Sequence, residues 1–209
     1  MKKKLLSVLA LATLVFAFAA CGEKDNTSLS ENGLLTQDSE GLLSGQHNVE
    51  IEIENYGTVA LTLDADIAPV SVTNFIHLAE EDFYDGLTFH RIVDDFMIQG
   101  GDPQGDGYGG SDRNIQGEFS SNGIKNELSH TRGVISMARG SYSNDSASSQ
   151  FFIVHEDSTF LDGDYAAFGW VTSGIEVVDA ICEATPVEDG NGTVLPKNQP
   201  VIKEIRVVE

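Results

Sequence analysis

From Val49 onward, apolar and polar residues trade places at every second position, and this short-period alternation limits the chain more than any other feature. Val49, Ile51 and Ile53 alternate with Glu50, Glu52 and Glu54, and Val59, Leu61 and Leu63 repeat the pattern after Asn55-Tyr56-Gly57. Side chains of a strand point to opposite faces in turn, so such a stretch buries one face and wets the other. The pair reads as a hairpin. Further strands are expected at 88–93, 96–99, 133–138, 150–154, 166–171 and 201–208. Pro69 opens a helical stretch to about Glu81, with Val70, Phe75, Ile76 and Ala79 on its apolar side, and a second helix fits Ile175 to Cys182. The chain has no internal repeat, and its strands and helices do not alternate, which argues against a parallel α/β sheet. Many short strands with two helices point to a mainly β fold, a closed β-barrel with helical plugs, in which order begins near His47.

Charge narrows the partners. The 209 residues carry 12 Lys plus Arg against 33 Asp plus Glu, for a formal charge of −21. Nucleic-acid phosphates and anionic lipid faces both need a basic patch, so neither is an expected partner of this surface. Cys21 and Cys182 are the only two cysteines, enough for one bridge at most and no disulfide framework.

Residues 1–20 read as an export signal: Lys2, Lys3 and Lys4, then an apolar run from Leu5 to Phe18. The end, Phe18-Ala19-Ala20-Cys21-Gly22, resembles the bacterial lipoprotein signal, with Phe18 where leucine is usual. That resemblance implies lipid on Cys21 as the mature N-terminus and an extracytoplasmic protein held at a bacterial membrane by this lipid alone. Two other readings of the same residues are ordinary cleavage after Ala17-Phe18-Ala19 and a retained transmembrane helix at the short limit for spanning. Loss of residues 1–20 removes three lysines and no acid, which takes the charge to −24. The polar stretch up to Gln46 reads as a flexible linker (domain boundaries 21–46) reaching roughly 25–30 Å.

Several patterns are rejected. Gly105 to Gly110 is glycine-rich, but no helix pattern follows it and Asp106 would repel a phosphate. The stretch from Asp102 lacks calcium ligands, with Gln104 at the third position and Arg113 at the twelfth. The five histidines have no metal-ligand spacing, so no metal is expected. Ser146, Ser148 and Ser149 have no nucleophile-elbow context.

One stretch is specific. Phe89-His90-Arg91-Ile92-Val93-Asp94-Asp95-Phe96-Met97-Ile98-Gln99-Gly100-Gly101-Asp102 resembles the signature of the cyclophilin-type peptidyl-prolyl isomerases. The likeness continues through Gly117-Glu118-Phe119, Gly133 to Ala138, Ser148 to Ile153, Phe160-Leu161-Asp162-Gly163 and Phe168-Gly169. The resemblance implies a closed eight-stranded antiparallel β-barrel with two capping α-helices over residues 47–209. It also implies an enzyme without cofactor that speeds rotation about X-Pro bonds, acts on proline-containing flexible polypeptides during extracytoplasmic folding, and works as a monomer. Arg91 matches the catalytic position. Gln99 matches the residue that orients it, and Phe96, Met97, Phe152 and Leu161 match the walls of a proline pocket. Ala138, Arg139 and Gln150 match groove positions that meet the substrate backbone, and Val93, Gly107, Gly140, Phe160 and Tyr165 complete the expected substrate-binding set. Phe160 and Tyr165 stand where tryptophan and histidine are frequent, and Arg139 where asparagine is common.

Overall fold

The computed structural model describes residues 33–208. Its first strands, β1 (Gln46–Ile53) and β2 (Gly57–Asp64), form the expected hairpin, with Val49 opposite Leu61 and Ile51 opposite Val59. Asn55 turns the corner at φ 64°. Helix α1 (Pro69–Glu80) follows, then β3 (Thr88–Val93), β4 (Met97–Asp102), β5 (Val134–Met137), β6 (Phe151–Val154), β7 (Ala167–Ser173), α2 (Ile175–Ala184) and β8 (Ile202–Val208). These eight strands make one antiparallel sheet among the described residues, in the order β3-β4-β6-β5-β7-β2-β1-β8. Helix α1 packs on β8 and β2, and α2 packs on β2.

The sheet corrects the expectation of a closed barrel. It is a curled half-barrel whose end strands β3 and β8 do not form a ladder. They approach at one bridge, Thr88 with Val201, flanked by Phe89 N–H to Pro200 O (2.9 Å) and Ile202 N–H to Leu87 O (2.8 Å). The rest of the outer edge of β3 is taken by the segment before β8. Ile92 N–H donates to Gly192 O (2.8 Å), and Val194 N–H to His90 O (3.0 Å). Gly192 sits at φ +82°, and a Cβ there would run into Ile92 O, so only glycine lets this segment lie so close. With those groups satisfied, β8 has no free edge to join.

The main core lies on one face of the sheet under α1. Phe75 of α1 meets Tyr84, Phe151 and Phe168 with ring centroids 5.1, 5.4 and 5.4 Å away, and the buried Tyr84 hydroxyl donates to Ser149 O (3.1 Å). No side chain of its own caps α1. Glu118 does so from a distant loop, accepting from Val70 N–H (3.0 Å), Ser71 N–H (2.9 Å) and the Ser71 hydroxyl (2.7 Å). A fully buried carboxylate placed at the positive end of the helix satisfies donors that would otherwise have no partner. Burial pushes the Glu118 pKa up, while these donors pull it the other way.

Residues 33–45, part of the stretch read as linker, lie against the domain. Leu35 is fully buried and bridges Ile115, with Gln116 N–H donating to Leu35 O (2.9 Å). Leu43 N–H donates to the Thr73 hydroxyl (2.8 Å). The signal and Cys21 lie outside the described residues. Leu35→Ala should therefore cost about 2–5 kcal/mol of stability in urea unfolding, the range for truncating a buried leucine. A loss below about 0.5 kcal/mol, the surface range, would show that this segment is not held.

Candidate active site

On the other face of the sheet, a second apolar cluster gathers Met97, Val134, Phe152, Val154, Leu161 and Ala167. Alternation explains the division. In β6, Phe151 and Ile153 enter the main core, while Phe152 and Val154 enter the second cluster. In β3 the alternation is interrupted. Phe89 pairs with Gly100 and Arg91 pairs with Gln99, so His90 is an extra residue on β3, offset by an extra residue at Gly101 on β4. Residues 89 and 91 would share a face in a regular strand. The bulge instead leaves Phe89 in the core and turns Arg91 to the second face. Gly101 can serve because it is glycine. Its φ is +81°, and a Cβ there would stand 2.6 Å from Ser149 O.

The second cluster floors a cavity of about 160 Å³ lined by Arg91, Phe96, Met97, Gln99, Ala138, Arg139, Phe152, Leu161 and Tyr165. That is close to the ~150 Å³ of an apolar cavity that holds one benzene-sized ring. Nine residues expected from the sequence thus surround one cup. Gly107, Gly140 and Gln150 line an adjoining groove of about 320 Å³ that also touches Gln99, Ala138 and Arg139. Val93 packs behind the cluster rather than lining the cup. Phe160 stands at the rim, 73% exposed, with its ring 5.5 Å from that of Phe96.

Arg91 is held on two sides. Its Nε donates to Asn191 O (2.8 Å), and Nη1 to Gln99 Oε1 (3.3 Å). Nη2 makes no hydrogen bond among the described residues. Burial lowers the guanidinium pKa, against a smaller upward pull from Tyr165 and Asp189. An arginine starts so high that it stays charged at working pH. Arg139 is fixed with its guanidinium 5.2 Å from the Phe119 ring and 5.0 Å from the Tyr165 ring, and its Nε donates to Asp164 O (2.8 Å).

The orientation of Gln99 is set from further away. Gln150 Nε2 donates to two backbone carbonyls, Gly107 O (3.1 Å) and Gly109 O (2.8 Å), so its Oε1 must face Gln99. Gln99 Nε2 donates to that oxygen (2.9 Å), which leaves Gln99 Oε1 to accept from Arg91. The two carbonyls are placed by Asp102. This buried carboxylate accepts from Gln104 N–H (2.8 Å), Asp106 N–H (3.1 Å) and Gly107 N–H (2.6 Å). Asp102 closes the sequence signature without being among the site residues expected from it, and Asn191 contributes only a backbone carbonyl, for which a sequence carries no signal.

Burial would raise the Asp102 pKa, but the backbone N–H groups around it outweigh burial and hold it below the ordinary value. A depressed folded-state pKa means that the stabilisation is complete above the unfolded value of ~3.9 and is lost as pH falls through the folded one. Asp102→Asn should cost about 1–3 kcal/mol at pH 7. The gap to wild type in urea midpoints should close below about pH 4, and a gap independent of pH would contradict this role.

Comparison with known proteins agrees with this architecture. Residues 48–207 match the family model described as cyclophilin type peptidyl-prolyl cis-trans isomerase/CLD. A peptidyl-prolyl cis-trans isomerase of Helicobacter pylori is 43% identical over 136 residues, covering 64% of this chain and 80% of its own length. Peptidyl-prolyl cis-trans isomerase B of Bacillus subtilis is 39% identical over 155 residues, covering 74% and 94%. The crystal structure of a cyclophilin type peptidyl-prolyl cis-trans isomerase from Cryptosporidium parvum superposes with a TM-score of 0.69 at 31% identity, covering 78% of this chain and 98% of that one. A further structure carrying that name was determined in the presence of the dipeptide Ala-Pro, with a TM-score of 0.68. The chain belongs to the cyclophilin-type peptidyl-prolyl cis-trans isomerases, and it is an isomerase of that class.

Proposed function

We propose that this isomerase acts at the cup around Arg91 on X-Pro bonds of exported polypeptides, and that lipid on Cys21 keeps it outside the cytoplasm at a bacterial membrane. The observation that carries the catalytic part is a charged, two-point-anchored guanidinium beside a cavity of about 160 Å³ with Phe96, Met97, Phe152 and Leu161 as its apolar walls. Peptide-bond rotation meets a barrier of ~18–20 kcal/mol because the C–N bond has partial double-bond character. At the top of that barrier conjugation is broken and the proline nitrogen regains a lone pair. A donor fixed beforehand binds this twisted state more strongly than either planar isomer, and that difference lowers the barrier.

In this reading Phe96, Met97, Phe152 and Leu161 hold the proline ring still. Arg91 Nη2 donates toward the pyramidal nitrogen, while Gln99 and Asn191 O keep the guanidinium from following the substrate as it turns. Gln99, Ala138, Arg139 and Gln150 border the adjoining groove, which would take the chain on one side of the proline. No covalent bond is made or broken, so the residues present suffice for the chemistry.

Arg91→Ala should lower turnover on a short proline peptide by about 10²–10³, the scale for losing one preorganised donor. Its unfolding midpoint should stay near that of wild type, because the guanidinium lies in a groove rather than the core. Activity within a few-fold of wild type would remove Arg91 from the mechanism.

The location rests on residues 1–21. No helix among the described residues is long and apolar enough to cross a membrane. Two or more acyl chains hold a protein stably at a bilayer, at ~0.8 kcal/mol per buried methylene. Cys21→Ser should move the protein from the membrane fraction to the soluble one or leave the precursor uncut, with isomerase activity unchanged. Unaltered processing and membrane retention would contradict the lipid anchor.

A further inference from the structure

Behind the wall of the cup, three donors from three separate elements converge. Asp94 lies in the β3–β4 turn, His155 follows β6, and Cys182 lies in α2. Each offers one ligand atom, and these atoms all lie within 4.8 Å of one another. Asp94 Oδ1 and His155 Nδ1 are 3.4 Å apart. Two such ligands, each ~2.0–2.2 Å from a tetrahedral zinc ion, stand roughly 3.3–3.5 Å apart, so this pair already has the required spacing. Cys182 is 9% exposed and outside any disulfide. The Asp94 side chain is 71% exposed and can shift to close the remaining gap.

A second, independent observation concerns His155. Its Nε2 lies 3.1 Å from Asp179 Oδ1, and Arg132 Nη2 grips both oxygens of Asp179 at 2.6 and 2.8 Å. A carboxylate on the far ring nitrogen sets the tautomer of a ligating histidine, with the proton there and the lone pair on the metal side. Here it puts the lone pair on Nδ1, toward Asp94. The Asp95 N–H lies 3.1 Å from Nδ1 and also 3.1 Å from Asp94 Oδ1, so this amide keeps an acceptor when Nδ1 binds a cation.

Three carboxylates, those of Asp94, Asp95 and Asp179, surround Cys182 against one guanidinium, that of Arg132, and this balance of charge favours a cation. Burial, together with Asp94, Asp179 and Asp95, pushes the Cys182 thiol up to about 12 against a weaker opposing pull from Arg132. Left alone, such a thiol keeps its proton and is unreactive. A divalent ion reverses the local field and displaces that proton to solvent.

We propose that Asp94, His155 and Cys182 form a binding site for a transition-metal dication of the zinc type, which ties the β3–β4 turn to the end of β6 and to α2. The mixed oxygen, nitrogen and sulfur set suits zinc or cobalt and not calcium or magnesium, which take oxygen ligands. Three protein donors leave one tetrahedral position for water. Phe96, two residues beyond Asp94, accepts His155 N–H through its carbonyl (2.8 Å), so the ion would brace one wall of the cup from behind.

The test is titration of the chelator-treated full chain with Co²⁺, read by its thiolate charge-transfer absorption, followed by displacement with Zn²⁺. One equivalent should bind with a single-thiolate band and release of a proton. Zn²⁺ at one hundred times Kd should raise Tm by roughly 5–10 °C. Cys182→Ala should abolish the band, and Cys21→Ser should leave it intact. The exposed change Asp94→Asn should weaken binding at least tenfold without disturbing the fold, and Asp179→Asn should weaken it about 10–100-fold. Absence of a thiolate band, a band that follows Cys21, or unchanged affinity in both Asp94→Asn and Cys182→Ala would overturn the proposal.

Discussion

An extra residue in β3 separates the part of the molecule that holds it together from the part that can act. Strand side chains alternate strictly, so a regular β3 would send Phe89 and Arg91 to the same face, and either a charge would enter the core or a phenylalanine would leave it. The bulge at His90 reverses the alternation between them, and the offset at Gly101 restores the register of β4. Phe89 then packs against Phe151 with centroids 6.0 Å apart, and Arg91 reaches the cup. The paired glycines of the signature follow from this geometry. A Cβ at Gly100 would stand 2.8 Å from Thr88 O, and one at Gly101 would strike Ser149 O. They are required by backbone approach and have no chemical role of their own.

The guanidinium turned outward by the bulge is then held by a succession of amides in which each hydrogen bond fixes the direction of the next. Asp102 gathers backbone N–H groups, the loop presents two carbonyls, Gln150 donates to both, and Gln99 has only its oxygen left for Arg91. An amide side chain that was free to flip would offer Arg91 a donor half of the time and repel it. Preorganisation of the cationic group therefore extends to a carboxylate outside the cup, and that carboxylate is ionised at neutral pH because the backbone solvates it.

The same accounting of backbone hydrogen bonds decides how the sheet ends. The 191–194 segment occupies β3, so the curl stops short of a full barrel. It also brings Asn191 O to the Nε of Arg91. Closing the barrel with β8 would satisfy the same edge but would remove this anchor. A loop that looks like a connector to the last strand is thus one of the two supports of the cationic group.

Much of this was legible in the sequence. Alternation located the β1–β2 hairpin and proline located the start of α1, because a two-residue or 3.6-residue period is a local property of the chain, and the six further strands expected from the sequence lie near their expected places. The nine residues around the cup were found through motif resemblance rather than periodicity, since apolar residues facing a core and apolar residues facing a ligand look alike along a strand. Closure of the barrel, the packing of Leu35 and the capping of α1 by Glu118 were not legible, because each depends on which distant backbone group arrives first at an unsatisfied edge or end. The histidines showed no metal-ligand spacing, yet Asp94, His155 and Cys182 meet, since a site built from a turn, a strand end and a helix has no fixed separation along the chain. The sequence by itself determined which residues are strand, which are helix and which chemical groups are available. Tertiary structure alone decided which of those groups share a space, because convergence depends on register, bulges and packing between segments far apart in the chain.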